Sequence, residues 1–257
     1  ILPVHFAGKS CDIKNIQRIA RKNDLKIIED CAHAIGAHYE EKHLGNFGSA
    51  GCFSFYPTKN ITTIEGGMVV TNSKDIAEYI MSARNHGLTK TLSQRYSIGK
   101  PWDYDMRESG YNYRLDEIRS SLGLSQLKRI KKINKLRERR FEYYNKRLKG
   151  IDHITTPSSS SKNDHAYHLY ILKVEPNKKI SRDILFKKLL ERGIRTSVHY
   201  KPLHMFSAFK KFRKNVADLN NSSQLYDEII SLPFYPNISE KQQDYVVRSI
   251  IDIMKNP

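Results

Sequence analysis

From Ile1 to Asn85, short apolar runs alternate with stretches whose apolar residues recur at helical spacing, and this alternation narrows the fold further than any other feature. Ile1 to Phe6 reads as a buried strand. Ile13, Ile16 and Ile19 mark one face of a helix over residues 12–22, and Leu25 to Ile28 reads as a strand ending in the acidic pair Glu29-Asp30. Gly51 to Phe55 and Gly66 to Thr71 read as further strands, with a helix over 76–85 behind them. Side chains repeat every two residues along a strand and every 3.6 along a helix, so the two patterns are not interchangeable. Strands that alternate with helices imply an α/β architecture with a largely parallel sheet.

The pattern then turns helical from Asp116 to about Leu148, where Leu122, Leu124, Leu127, Ile130, Ile133 and Leu136 form an apolar stripe between charged residues. Residues 128–149 carry eleven Lys/Arg against two Glu. The stripe requires a protein partner and no aromatic platform interleaves the charges, which favours a solvated helix face over a nucleic-acid-binding arm. Residues 157–164 have loop composition, and apolar alternation resumes at His165. A helix over 181–192, an extended piece over 196–200 and a last helix over 240–254 complete what reads as a small C-terminal α+β domain. The boundary is placed after Phe141, giving a large domain over 1–141 and a helix end with small domain over 142–257.

A formal charge of +17 would suit nucleic acid, an anionic surface or a phosphorylated small molecule, but lysine is spread through every segment and singles out none of them. Cys11, Cys31 and Cys52 are odd in number and far apart, so neither a disulfide framework nor a CxxC metal site is signalled, and a cytoplasmic location is expected. No apolar run approaches the roughly 20 residues that a membrane span needs.

Chemistry concentrates in the segment from Gly51 to Met68, where Lys59 follows an apolar strand and a Pro57-Thr58 turn and enters a polar loop ended by glycines. Loops at the carboxyl ends of strands are where α/β sheets bind ligands, and an amine held there among partly buried groups can lose its proton and attack a carbonyl. Asp30 closes the neighbouring strand, so its carboxylate is expected at the same sheet edge. As a lone residue it would read as a helix cap; together with Lys59 it points to a cofactor with a basic ring nitrogen.

The segments PVHFAGKSCDI, IIEDCAHAIGAHY, GCFSFYPTKNITTIEGGMVVTN, RNHGL, GYNYRLDEIRSSLGLSQL, SVHYKPLH and LPFYPNISEKQQDYV span nearly the whole chain. In that order they resemble the DegT/DnrJ/EryC1/StrS sugar aminotransferases, which have the fold-type I architecture. The resemblance implies pyridoxal 5'-phosphate as cofactor, with Lys59 as the Schiff-base lysine that also shuttles a proton and Asp30 as the partner of the pyridinium nitrogen. It implies that His33 lies near the cofactor ring, that Ser54 helps hold the phosphate, and that Asn112 reaches the phosphate in the neighbouring subunit of a homodimer. His199, Tyr200, Lys201 and Pro202 match the segment that approaches the sugar nucleotide. Lysine at position 59, rather than the histidine of dehydrating members, implies transfer of an amino group from glutamate to a nucleotide-linked keto sugar, for surface polysaccharide or related glycans.

The resemblance departs from its pattern twice. Ile1 to Phe6 matches the fourth of seven large-domain strands, so three upstream strands, roughly ninety residues at about thirty per strand-helix unit, are expected to lie outside the chain. Ile64 stands where the family usually has a small residue, often glycine. Three readings follow from the residues: an aminotransferase component completed by a separate chain, an inactive remnant, or a basic module that binds nucleic acid or protein through residues 116–148.

Overall fold

A computed structural model describes residues 1–256 except 98, 159–164, 178 and 216–218; most of the loop expected over 157–164 therefore lies outside the described residues. Its elements in chain order are α1 (Ile13–Lys22), β1 (Ile28–Asp30), β2 (His38–Tyr39), β3 (Lys42–His43), β4 (Ala50–Ser54), β5 (Gly67–Val70), α2 (Lys74–Ala83), α3 (Leu92–Ser97), α4 (Glu117–Leu127), α5 (Ile130–Leu148), β6 (Ile154–Thr155), β7 (Ile171–Val174), α6 (Arg182–Glu191), α7 (Asn220–Glu228), β8 (Ile229–Ser231) and α8 (Glu240–Lys255). The chain forms two compact units. One holds Ile1–Lys131 and also His165; the other takes up the chain from Lys132.

In the first unit β4 is the central strand. It pairs in parallel with β1, Asp30 opposite Cys52, and antiparallel with β5, Ser54 opposite Gly67. Parallel pairing therefore holds on one side of β4 only. The strand expected over Ile1 to Phe6 is reduced to a bridge at Val4, although its carbonyls and amides still lace it to β1: Ile28 N–H donates to Ile1 O (3.0 Å), Asp30 N–H to Pro3 O (2.9 Å) and His5 N–H to Asp30 O (3.1 Å). Pro3 has no N–H to offer, and Ala7 at φ 56° turns the chain out of the strand.

Helix α1 starts where Asp12 caps it by accepting from Asn15 N–H, and it buries Ile13 and Ala20. Ile27, Ala34, Leu44, Phe55 and Ile61 of the same unit are likewise buried. On β5, by contrast, Met68 and Val69 remain exposed, as do Val4 and Ile28. Gly51 has a steric duty: a Cβ there would lie 2.3 Å from Gly45 Cα, so only glycine lets the 45–48 loop lie against β4.

One long helix over 116–148 is expected from the sequence, but the structure has two, α4 and α5, because the α4 end tightens and Arg129 N–H turns back to Gln126 O (2.9 Å). The apolar stripe is correspondingly uneven: Leu122, Leu124 and Leu127 are exposed, while Phe141, Tyr144 and Leu148 of α5 are buried.

In the second unit β7 lies between β6 and β8, all antiparallel. Helices α5, α6 and α8 contribute Phe141, Tyr144, Leu185, Leu189, Val247 and Ile250 to one apolar core with Tyr170, Leu172 and Ile230. The basic face of α5 is not simply solvated. Arg137 is buried, donates to the carbonyls of Tyr167 (3.3 Å) and His168 (3.2 Å), and has its pKa lowered to about 10 by that burial. Arg147 pairs with Asp244 at 3.0 Å, and Tyr143 donates to the same carboxylate at 2.8 Å.

Candidate active site

The parallel β1–β4 pair brings its two carboxyl ends to one sheet edge, and the first group of expected residues gathers there. Asp30 is the last residue of β1, Ser54 the last of β4, and Lys59 follows after a tight turn closed by Lys59 N–H to Tyr56 O at 3.0 Å. Ser54 Oγ accepts from Tyr56 N–H at 3.4 Å, and Asp30 Oδ1 accepts from Ala32 N–H at 2.9 Å, so the strand ends and the turns that leave them are tied together. His33 is buried one turn beyond Asp30, its ring 6.3 Å from that of Phe6.

Lys59 is partly buried. That burial lowers its pKa, against the opposing pull of the Asp30 carboxylate. An amine in this setting sheds its proton more readily than a surface lysine while keeping an acidic neighbour. Beyond Lys59 the loop is over-determined: Thr62 Oγ1 donates to Phe55 O (2.9 Å), Thr63 N–H donates to the same oxygen (3.0 Å), and Gln126 of α4 bonds both the N–H and the C=O of Thr62. Ile64 sits in this loop at φ 70°, exposed, in a left-handed conformation that a β-branched residue adopts only under strain.

Asn112 belongs to a different part of the first unit. Tyr111 N–H donates to Ala83 O (2.7 Å), His86 N–H to Tyr111 O (3.0 Å) and Tyr113 N–H to Arg84 O (2.9 Å), which joins the Arg84-to-Leu88 and Gly110-to-Arg114 segments. The Asn112 side chain is exposed and accepts from Arg114 Nε at 3.0 Å, flanked by the stacked, exposed rings of Tyr111 and Tyr113. These contacts do not bring it to Lys59. The remaining candidates lie in the second unit. His199 Nδ1 is 2.8 Å from Ser231 Oγ, half the Tyr200 surface is exposed, Lys201 Nζ lies 5.2 Å from the Phe206 ring centroid, and Pro202 O opens a short turn by accepting from Met205 N–H at 2.9 Å.

Two supporting residues were not singled out from the sequence. Glu29 points away from the site, by strand alternation, into the core. It is fully buried and its two oxygens accept from His5 Nε2 (3.1 Å), Gly45 N–H (2.8 Å), Phe47 N–H (2.6 Å) and Gly48 N–H (2.8 Å). Burial opposes its ionisation, but these donors outweigh it and hold its pKa below the ordinary carboxylate value. An acid inside an otherwise apolar strand was its visible signal. Cys31 lies close to this pair, but the cluster is hydrogen-bonded within itself: Cys11 N–H donates to His5 Nδ1 at 3.3 Å, leaving neither ring nitrogen nor carboxylate oxygen open for a metal. Gln126, the other support, had no sequence signal.

The donor set at the β1–β4 edge is a carboxylate, a hydroxyl, a buried imidazole and an amine of lowered pKa. It fits a ligand that carries a basic ring nitrogen, a carbonyl and an anionic group. Comparison with known proteins bears on the family and the fold. The chain is 36% identical over 258 residues to the spore coat polysaccharide biosynthesis protein SpsC of Bacillus subtilis, covering 99% of this chain and 66% of that protein. It is 33% identical over 252 residues to a UDP-4-amino-4,6-dideoxy-N-acetyl-beta-L-altrosamine transaminase of Campylobacter jejuni, covering 98% of this chain and 65% of that one. Helicobacter pylori PseC, an aminotransferase involved in the biosynthesis of pseudoaminic acid, superposes with a TM-score of 0.89 at 31% identity over 99% of this chain and 66% of its own. The PLP form of the putative sugar aminotransferase Spr1654 of Streptococcus pneumoniae superposes at 0.86 with 26% identity over 100% of this chain and 68% of its own. The chain thus spans about two thirds of the length of the relatives it matches, and its architecture is that of the fold-type I sugar aminotransferases. The model of the DegT/DnrJ/EryC1/StrS aminotransferase family matches residues 1–251, and the chain belongs to that family.

Proposed function

We propose that this chain carries the cofactor-lysine portion of a nucleotide-sugar aminotransferase that moves an amino group from glutamate to a nucleotide-linked keto sugar, with pyridoxal 5'-phosphate as cofactor and a homodimer as the working form. The observation that carries this reading is Lys59: an amine just beyond the carboxyl end of a parallel strand pair, with a pKa that burial lowers against the opposing pull of the Asp30 carboxylate. Pyridoxal phosphate, when bound, supplies a carbonyl that exchanges amines and a ring that draws electrons from the reacting carbon.

Lys59 Nζ has two tasks in this reading. Its neutral form would be the nucleophile toward the cofactor carbonyl, and its amine would take up and return the proton at the substrate carbon that loses or gains the nitrogen. Asp30 matches a protonated ring nitrogen, and the buried His33 imidazole limits water beside it. Ser54 Oγ and the Asn112 amide suit phosphate oxygens, Asn112 serving the partner subunit. The His199-to-Pro202 segment is assigned to the sugar nucleotide, with Lys201 suited to a diphosphate.

The test is an absorbance spectrum of the protein mixed with pyridoxal phosphate, followed by borohydride reduction and mass analysis of the Lys59 peptide. A visible band with the reduced adduct on Lys59 is expected, and glutamate with keto-sugar nucleotides should then give amino sugars. Turnover that continues unchanged after Lys59→Ala, or an adduct spread over surface lysines, would overturn the assignment.

A further inference from the structure

The β2–β3 hairpin sets two imidazoles face to face. His38 and His43 are paired across the antiparallel register, their ring centroids are 3.7 Å apart, and Nε2 of one lies 3.1 Å from Nε2 of the other. Two nitrogens that each bind one ion at about 2.0–2.1 Å, with the angles of tetrahedral or octahedral coordination, lie roughly 2.9–3.4 Å apart. The observed separation falls in that interval.

We propose that His38 and His43 form a bidentate site for a borderline divalent transition-metal ion of the Zn²⁺, Ni²⁺ and Cu²⁺ class, with water or a ligand from solution filling the remaining positions. The site is distinct from the Lys59 edge and does not depend on the aminotransferase reading. Imidazole nitrogen suits these ions, whereas Mg²⁺ and Ca²⁺ prefer oxygen.

Two features support chelation beyond the distance itself. The His38 ring is hydrogen-bonded to the Gly36 backbone, which limits its rotation. Register and turn fix the two backbone positions from which the rings project, with Leu44 N–H donating to Ala37 O at 3.1 Å just beyond the pair, and the exposed His43 ring is free to turn outward so that both in-plane lone pairs meet one ion, the centroids opening from 3.7 Å to about 5 Å. Of the charged groups acting on His38, Glu41 favours a cation and Lys131 opposes it.

On binding, two imidazole nitrogens replace two waters of the hydrated ion.

Ni²⁺ is the probe, used with the whole chain at pH 7.5 in calorimetric titration and thermal unfolding, comparing the parent protein with His43→Gln and His38→Gln. The parent is expected to take up one Ni²⁺ and to gain thermal stability with it. Each substitution should weaken that uptake at least about tenfold and abolish the stability gain. His43 is exposed, so its substitution leaves a folded protein even if that of His38 does not. No uptake by the parent, or equal uptake by His43→Gln through others of the 10 histidines, overturns the proposal.

Discussion

Gln126 holds the backbone of Thr62 on both sides, its side-chain oxygen accepting from Thr62 N–H at 3.2 Å and its amide donating to Thr62 O at 2.6 Å. Sixty-four residues apart in sequence, the two join α4 to the loop that leaves Lys59. Gln126→Ala removes both bonds from a partly buried peptide, and a loss of about 1–3 kcal/mol is expected from two ordinary hydrogen bonds. Denaturant unfolding measures it. The same variant should capture pyridoxal phosphate more slowly at Lys59, whereas Gln126→Glu should recover only the contact with the Thr62 N–H.

Ile64 adopts φ 70° with its side chain exposed, so it takes on backbone strain without a compensating core contact. The left-handed region costs an L-residue about 1–2 kcal/mol, and glycine loses about 0.5–1 kcal/mol in chain entropy. Ile64→Gly should therefore stabilise the chain by up to about 1 kcal/mol, which for a protein near this size raises Tm by roughly 2–4 °C. A Tm that falls would mean that the isoleucine makes a contact the strain argument omits.

Glu29 is the hub that binds the 45–48 loop and the first residues to β1. In Glu29→Gln the amide places N–H groups against one of two pairs of donors, and a cost of about 2–4 kcal/mol is expected for that buried mismatch. Because the folded-state pKa of Glu29 is lowered, its contribution is complete above the ordinary value of 4.5 and disappears as pH falls through the lower folded value. Stability measured from pH 6 to pH 3 should consequently fall less steeply in the Gln variant than in the parent.

Lys59 obeys the opposite rule. A lysine whose folded pKa is lowered binds its proton less well when folded, so it destabilises the fold at neutral pH, and this penalty fades as pH rises toward the ordinary 10.5. Lys59→Met is expected to be more stable than the parent near pH 7, with the two converging by about pH 10. In the parent, amine-reactive reagents at pH 8 should modify Lys59 faster than exposed lysines once its partial burial is allowed for. Equal stability of parent and variant at pH 7 would remove the pKa argument from the proposed mechanism.

The sequence by itself determined the alternation that makes the first unit α/β, the helices over α1, α6 and α8, and the placement of Asp30 and Lys59 at the ends of neighbouring strands. These follow from local periodicity, capping and strand direction, all of which are written in neighbouring residues. Tertiary structure decided the rest. It broke the long helix at Arg129, because Gln126 ends α4 in a tight turn while its side chain serves a loop far away in sequence. It buried Arg137, one of a run of basic residues that read alike, because the carbonyls of Tyr167 and His168 face that one position of α5. It turned Glu29 into a hub through four donors from two distant segments, and it set His38 against His43 through a register fixed by a two-residue turn. Apart from the acid at Glu29, these pairings leave no trace at either residue alone, since each depends on which groups a distant or cross-strand part of the chain brings near.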